Sequence, residues 1–110
     1  MATPALTEAV YFILLSLMEP MHGYGIMQLT ARLSNGRVRL AAGTLYGAIN
    51  TLLEKGWIRS LGEDKDSRKK EYVITAMGKE ALQGEIDRLT DLAALGKSYL
   101  EEINNENDHS

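Results

Sequence analysis

Apolar residues at helical spacing predict two mostly buried helices in the first third of the chain. The first begins after the N-cap Thr7 and cannot continue through Pro20, and the second covers about residues 24–33. A flexible turn over residues 21–25 is expected between them. The positions expected to face inward are Leu6, Val10, Ile13, Leu14, Leu17, Ile26, Leu29 and Leu33.

A third helix is predicted over about residues 43–55, after a short extended connection over 37–42. Gly56 is expected to end it, because glycine readily adopts the left-handed conformation of a helix C-terminus. One side of this helix is apolar, with Leu45, Ala48, Ile49, Leu52 and Leu53. The other side is short and polar, with Gly43, Gly47, Asn50, Thr51 and Glu54, and with Thr44 and Tyr46 at its margins.

Residues 57–61 and 71–74 are rich in β-branched and aromatic residues, which predicts the two strands of an antiparallel hairpin. The residues between them are mostly charged and are expected to form a long loop. Thr75 then caps a last helix that is expected to run over 76–103, followed by a disordered polar tail over 104–110. About 28 helical residues span roughly 42 Å, more than the core of so small a domain can cover. The apolar stripe of this helix comprises Leu82, Ile86, Leu89, Ala93, Gly96, Leu100 and Ile103, widened by Leu92 and Tyr99.

This order of elements predicts a mainly α fold with a small β-hairpin. It corresponds to a winged helix-turn-helix domain over residues 1–75, followed by a long C-terminal helix. The stripe of the last helix repeats at heptad spacing and has nothing left in this chain to bury it. A second copy of the chain is the simplest partner, so we expect a homodimer formed through this helix.

Composition removes several classes of function. The 110 residues include no cysteine and two histidines, so thiolate chemistry is excluded and a metal site is not expected. No nucleophile–base pair and no phosphate-binding glycine loop is visible, which argues against an enzyme and against a cofactor. The longest apolar run, residues 9–15, is too short to cross a bilayer, and we expect a cytoplasmic protein without membrane contact.

The charge distribution changes this picture. The net charge is −3, yet residues 37–70 hold eight basic and four acidic side chains, whereas residues 76–110 hold three basic and eight acidic ones. A partner responds to the local field rather than to the sum, so the middle segment is a candidate nucleic-acid surface. A solvated charged loop without a partner is the alternative.

Four motifs, in this order and spacing, resemble the PadR-like transcriptional regulators. They are HGYGI at 22–26, GTLY at 43–46, LLEKGWI at 52–58 and KEYVIT at 70–75, the last accompanied by Gly78. The resemblance covers about residues 6–82 and implies a dimeric DNA-binding repressor, in some members controlled by flat aromatic compounds bound between the subunits. Where the family commonly has a capping serine the chain has Ala41, so Thr44 is expected to supply part of that cap. Aromatic-drug binders in the family can carry a tryptophan in the last helix, and this chain has none there.

A DNA-binding role assigns functions to particular residues. The third helix would enter the major groove and present Thr44, Gly47, Asn50 and Thr51 to base edges, because Asn reads adenine and Thr contacts the thymine methyl group. Contacts to the DNA backbone would come from Tyr46, Lys55, Lys65, Arg68, Lys69 and Lys70. His22 and Tyr24 are interpreted as structural residues of the turn.

Two further interpretations stay open. A small hydrophobic effector would bind near the dimer axis against Phe12, Leu15, Leu92, Ala93, Gly96 and Tyr99, although small residues there also permit close helix packing. A protein–protein interaction module on the same scaffold, without DNA function, is the rival hypothesis. The net acidity favours this rival, and the basic loop opposes it.

Overall fold

The structure is a computed structural model that describes residues 5–63 and 69–108. Its elements follow in the order α1 (Glu8–Ser16), β1 (Met21–His22), α2 (Gly23–Leu33), α3 (Ala42–Lys55), β2 (Ile58–Glu63), β3 (Lys70–Ile74) and α4 (Ala76–Asp108). The three strands form one antiparallel sheet in the order β1-β3-β2. The described part is mainly α, and its arrangement is the predicted winged helix-turn-helix with a long last helix.

Local sequence signals set the ends of the helices. Thr7 is extended and its hydroxyl accepts the N–H of Val10 at 3.1 Å, as expected of an N-cap. Gly56 ends α3 with a φ of 75°, the left-handed conformation that favours glycine. The hydroxyl of Thr75 accepts the N–H of Gly78 at 3.1 Å and donates to the carbonyl of Gly56 at 2.6 Å. Thr75 therefore both caps α4 and ties its start to the end of α3.

One core joins α1, α2, α3 and the sheet. The apolar side of α3 faces inward as predicted, but the prediction for Leu33 was wrong, because this residue is 45% exposed. The turn after α2 buries Ser34 instead, and the hydroxyl of Ser34 accepts the N–H of Val38 at 2.9 Å. The most deeply buried apolar residues are Ile13, Leu14, Leu17, Ile26, Leu45, Ile49, Leu52 and Ile58.

The sheet has one more strand than predicted. Met21 pairs with Tyr72 and His22 with Glu71, so part of the expected flexible turn is strand β1. Two residues are too few for an alternating pattern to show in the sequence. The hairpin strands also run further than predicted, with a register shift between Ser60 and Gly62 where Gly62 has a φ of 87°.

Helix α4 starts at the predicted residue and ends later than predicted. It contains 33 residues, and residues 104–108, expected to be a disordered tail, are its last turns. Residues 109–110 lie outside the described part. A helix of this length spans about 50 Å, and the longest dimension of the molecule is 69 Å.

Only the first turns of α4 pack on the core. Leu82 is 5% exposed and belongs to the core, and Ile86 packs against it. The start of the apolar stripe, including Leu82, which was predicted to lie in a dimer interface, is therefore covered mainly by the chain's own core. From residue 91 to residue 100 every side chain is exposed. Within the described residues, no helix is long and apolar enough to span a membrane.

Candidate nucleic-acid interface

The outer face of α3 is the most distinctive surface near the basic segment. Leu45, Ile49 and Leu52 are buried on its inner side, which leaves the polar side in solvent. Thr44, Gly47, Asn50 and Thr51 are all exposed there, where the sequence analysis placed them. A Cβ at Gly47 would meet no atom within 4 Å, so no side chain covers the helix backbone at this point.

The start of α3 has no side-chain cap. Ala41 occupies the N-cap position in an extended conformation and makes no capping hydrogen bond through its side chain. Among the described residues, no backbone N–H donates to the exposed Thr44 hydroxyl instead, so the expectation that Thr44 supplies part of the cap was wrong. The first N–H groups of α3 therefore stay open to solvent, at the end of the helix dipole that attracts anions.

A cleft separates α3 from the start of α2 and from the hairpin. It encloses about 330 Å³ and is called here the tyrosine cleft. Tyr24 at its rim is 59% exposed, and Tyr46 is also exposed, whereas Tyr72 is buried at its base. Burial, together with the nearby Tyr46, raises the pKa of Tyr72, which keeps this phenol neutral. The complete lining is His22, Gly23, Tyr24, Tyr46, Lys69, Lys70 and Tyr72.

The described basic residues among the predicted DNA-backbone contacts lie at the start of β3 and in the last turn of α3. Lys69 and Lys70 are exposed at the start of β3 and border the tyrosine cleft. Lys65 and Arg68, also predicted to contact the DNA backbone, lie outside the described residues. Lys55, in the last turn of α3, is exposed but folds back, with its ammonium 4.6 Å from the centre of the Trp57 ring.

The outer half of α4 presents an apolar surface. Leu89, Leu92, Tyr99 and Leu100 are exposed, and Leu95, which the sequence analysis left out, is the most exposed of the large apolar residues at 68%. Ala93 and Gly96 are exposed between them, and Ile103 is half-exposed. Leu95 could have been found from its spacing, because it lies three residues beyond Leu92 and four before Tyr99.

One protomer does not assemble the predicted effector pocket. Phe12 borders a pocket of about 370 Å³ near Glu85, Arg88 and Leu89, whereas Leu15 borders a different one near Leu82 and Ile86. The other four predicted lining residues, Leu92, Ala93, Gly96 and Tyr99, border neither pocket. A pocket made of all six would therefore need a second copy of the chain.

An ion pair lies within α4, between residues three positions apart, with its carboxylate buried and its guanidinium partly exposed. The guanidinium of Arg88 donates to both oxygens of Glu85, at 2.8 and 2.7 Å, and Glu85 is only 4% exposed. This pair, with a further hydrogen bond from the backbone N–H of Leu6, lowers the pKa of Glu85 against the opposing effect of burial. The same pair raises the pKa of Arg88. Within the described residues no cluster of His, Asp and Glu has the arrangement of a metal site.

Comparison with known proteins identifies this combination of fold and surface. The sequence model of the transcriptional regulator PadR-like family matches residues 13–84, about two thirds of the chain. The chain belongs to the PadR-like family of transcriptional regulators. The PadR-like match includes α2, α3 and the hairpin and stops in the first turns of α4, so the exposed apolar part of α4 lies beyond it.

Solved structures agree with the PadR-like assignment. A PadR family regulator from Eggerthella lenta is 26% identical, with a TM-score of 0.64 over 84% of this chain and 80% of that one. A PadR family regulator from Clostridium difficile is 23% identical, with a TM-score of 0.67 over 83% and 97%. A transcriptional regulator from Clostridium thermocellum is 20% identical, with a TM-score of 0.62 over 86% and 89%. No curated protein matches the chain. PadR-like proteins are regulators rather than enzymes, in agreement with the sequence analysis.

Proposed function

We propose that this regulator is a homodimeric repressor that reads an inverted-repeat operator with α3. The observation that carries the proposal is the outer face of α3, which is polar, uncapped at its start and bare at Gly47. A helix with these properties enters a major groove closely, because no carboxylate lies in its first turns and Tyr46 is the one bulky side chain exposed there, at the margin of the polar face. The repressor role itself rests on the family resemblance.

Base reading is assigned to two neighbouring residues of α3. Asn50 offers a donor and an acceptor that match the major-groove edge of adenine. Thr51 uses its hydroxyl within the helix, donating to the carbonyl of Gly47 at 3.2 Å. Its methyl group is therefore the part of the side chain that is available to DNA, where it would make an apolar contact with the methyl group of thymine. Thr44 and Gly47 complete the base-facing surface nearer the start of the helix.

Contacts to the phosphates of the DNA backbone are assigned to residues of the tyrosine cleft and the hairpin. Tyr24 and Tyr46 place two phenol hydroxyls beside the N-terminus of α2, and Lys70 adds a positive charge at the same rim. Hydroxyls, helix N-termini and lysines are the groups that commonly hold phosphates. Tyr24, interpreted from the sequence as structural, therefore joins the backbone contacts Tyr46, Lys55, Lys65, Arg68, Lys69 and Lys70.

The exposed stripe of α4 supports a homodimer. Five large apolar side chains are exposed along this part of α4, and clustered exposed apolar residues mark interaction surfaces. They are Leu89, Leu92, Leu95, Tyr99 and Leu100. A two-fold axis between two α4 helices would place two α3 helices in a symmetric arrangement, which requires an inverted repeat. A hydrophobic effector would bind between the subunits and release the DNA by changing that arrangement. Its expected contacts are Phe12, Leu15, Leu92, Ala93, Gly96 and Tyr99.

Fluorescence anisotropy with the duplex upstream of the protein's own gene tests the proposal. We expect binding that survives an excess of a scrambled duplex of the same composition, with two chains bound per duplex. Asn50→Ala is expected to lower this preference, whereas Ser98→Ala on α4 serves as a folded control. Equal affinity for both duplexes, or none for either, would favour the rival hypothesis of a protein–protein interaction module.

A further inference from the structure

A small pocket lies within one protomer, where the start of α1 meets the end of α3. It encloses about 220 Å³ and is called here the Trp57 pocket. Trp57, the single tryptophan of the chain, is half-buried and forms part of its wall. The complete lining is Ala5, Leu6, Thr7, Val10, Ala48, Thr51, Leu52, Lys55 and Trp57. None of the exposed α4 residues assigned to the dimer borders it.

The lining defines the chemistry of a ligand. Most of the lining is apolar, consisting of aliphatic side chains and an indole, and Lys55 is the single charged residue among them. Two threonine hydroxyls and the indole N–H of Trp57 are the other polar side-chain groups of the lining, and Thr7 already uses its hydroxyl to cap α1. Because an apolar cavity of roughly 150 Å³ accommodates benzene, this one suits a molecule of one ring or two fused rings.

We propose that the Trp57 pocket binds a small, neutral, largely apolar ring compound within each protomer, independently of any pocket between subunits. Trp57 supplies a flat surface for the ring, and Val10 and Leu52 supply aliphatic contacts. The ammonium of Lys55, 4.6 Å from the indole centre, competes for that surface. Ligand binding therefore frees Lys55 from Trp57.

Release of Lys55 links the pocket to DNA, and this step rests on the proposed function. A phosphate contact by Lys55 requires its ammonium to leave the indole, and a ligand that already covers the indole removes that cost. DNA affinity is then expected to rise by about two- to fivefold, the factor that corresponds to the free energy of a cation–π contact at an exposed site. By thermodynamic reciprocity, DNA raises the affinity for the ligand by the same factor.

Toluene titrated into the 110-residue chain tests the binding step without DNA. The single indole N–H signal of Trp57 is expected to shift saturably, and nuclear Overhauser contacts are expected from toluene to the methyl groups of Val10 and Leu52. Ala48→Leu fills the pocket and should abolish the shift. Ala93→Leu is the matched control on α4 and should leave it unchanged.

The opposite pattern would overturn the proposal. Loss of binding in Ala93→Leu alone, or toluene contacts to Tyr99 instead of Val10, would place the ligand between subunits. Should Ala48→Leu fail to fold, the contacts measured in the wild-type protein decide the question by themselves. No saturable shift of the Trp57 signal would also refute the proposal.

The linkage step has its own measurement. Operator affinity is compared with and without saturating toluene, in the wild type and in Lys55→Met, which keeps the aliphatic stem and removes the charge. We expect the two- to fivefold gain in the wild type and none in Lys55→Met. A chain that binds toluene at Trp57 but binds no DNA would refute the proposed function, while the proposal that the Trp57 pocket binds a ligand would remain supported. A wild-type chain whose operator affinity does not change with toluene would refute the link through Lys55.

Discussion

The backbone of Gly23, at the start of α2, lies directly against the phenol of Tyr46 in α3. A Cβ at position 23 would overlap the Tyr46 hydroxyl and would lie 2.9 Å from the Cζ atom of its ring. The contact joins the two helices that precede the hairpin and sets how Tyr46 faces the tyrosine cleft. Glycine is needed here for close approach rather than for an unusual φ.

We predict that Gly23→Ala changes DNA binding more than it changes stability. Tyr46 is half-exposed, so its ring can swing outward to admit the new methyl group, at a cost of about 1 kcal/mol or less in the free energy of unfolding. The displaced hydroxyl would then miss its phosphate. A double-mutant cycle with Tyr46→Ala, measured by urea unfolding and by operator affinity, should show coupling in the affinity. Additive affinity losses would mean that Tyr46 does not act through this contact.

Two glycines of α4 should respond oppositely to the same change. A Cβ at Gly78 would overlap the carbonyl oxygen of Trp57, and a backbone group cannot move aside as a side chain can. Gly78→Ala should therefore lower the free energy of unfolding by about 2 kcal/mol. A Cβ at Gly84 meets no atom within 4 Å, so Gly84→Ala should raise it by up to about 1 kcal/mol. Urea unfolding at one protein concentration compares the two, and equal losses would contradict the close contact at Trp57.

The apolar stripe of α4 should control the oligomeric state. Leu92 and Leu100 are exposed in one protomer, so replacing both by Asp should leave the core folded and separate the dimer into monomers. Ser98→Asp, a single charge between them on the opposite side of the helix, should remain dimeric. Light scattering with circular dichroism measures both properties. A folded dimer after the double change would place the interface elsewhere.

The ion pair of α4 predicts an acid-sensitive component of stability. The pKa of Glu85 is lowered below its ordinary value of 4.5 by Arg88 and by the N–H of Leu6. A lowered pKa means that the stabilisation is fully present above that ordinary value and is lost as the pH falls through the lowered one. Glu85→Gln should therefore lower the Tm at pH 7, and the difference from the wild type should vanish at strongly acidic pH. Glu80→Gln, at an exposed position of the same helix, is the control. A difference in Tm that is constant with pH would show that packing, not charge, is lost.

The elements with strong periodicity could be predicted from the sequence, and the tertiary contacts could not. The two sides of α3 follow from the spacing of Leu45, Ile49 and Leu52, because each packs where a regular helix places it. The heptad stripe of α4 is equally visible, yet it does not reveal where the chain's own core ends. Leu82 and Leu100 therefore look alike in the sequence, and only the folded core distinguishes them.

The missed parts of the site arise from contacts between distant segments. Strand β1 consists of two residues and exists because β3 pairs with it, so no local sequence pattern predicts it. Tyr24 was interpreted as structural because it lies in a turn motif, whereas it is exposed at the rim of a cleft that residues of β3 also line. The Trp57 pocket likewise needs the end of α3 to lie beside the start of α1.

The hairpin and α3 should affect DNA binding in two distinguishable ways. Lysine and arginine contacts to phosphates release counterions, which gives a salt slope of about −0.9 per phosphate neutralised on duplex DNA. Replacing Arg68, Lys69 and Lys70 together by Ala should weaken binding to every sequence and flatten the slope. The change would reach about 5 units if both protomers use all three side chains. Lys55→Ala should act in the same direction and by a smaller amount.

Asn50→Ala and Thr51→Ala should behave differently, because neither residue carries a charge. We expect the salt slope to stay nearly constant while the affinity for the operator falls, by about 1–3 kcal/mol for a bidentate contact of Asn50 with adenine. Affinity for scrambled DNA should not change. Anisotropy titrations at several salt concentrations, with operator and scrambled duplexes, separate the two classes of variant. If the Asn50 and Thr51 variants weaken both duplexes equally, α3 does not read the bases, and the major groove must be read by another element or by none.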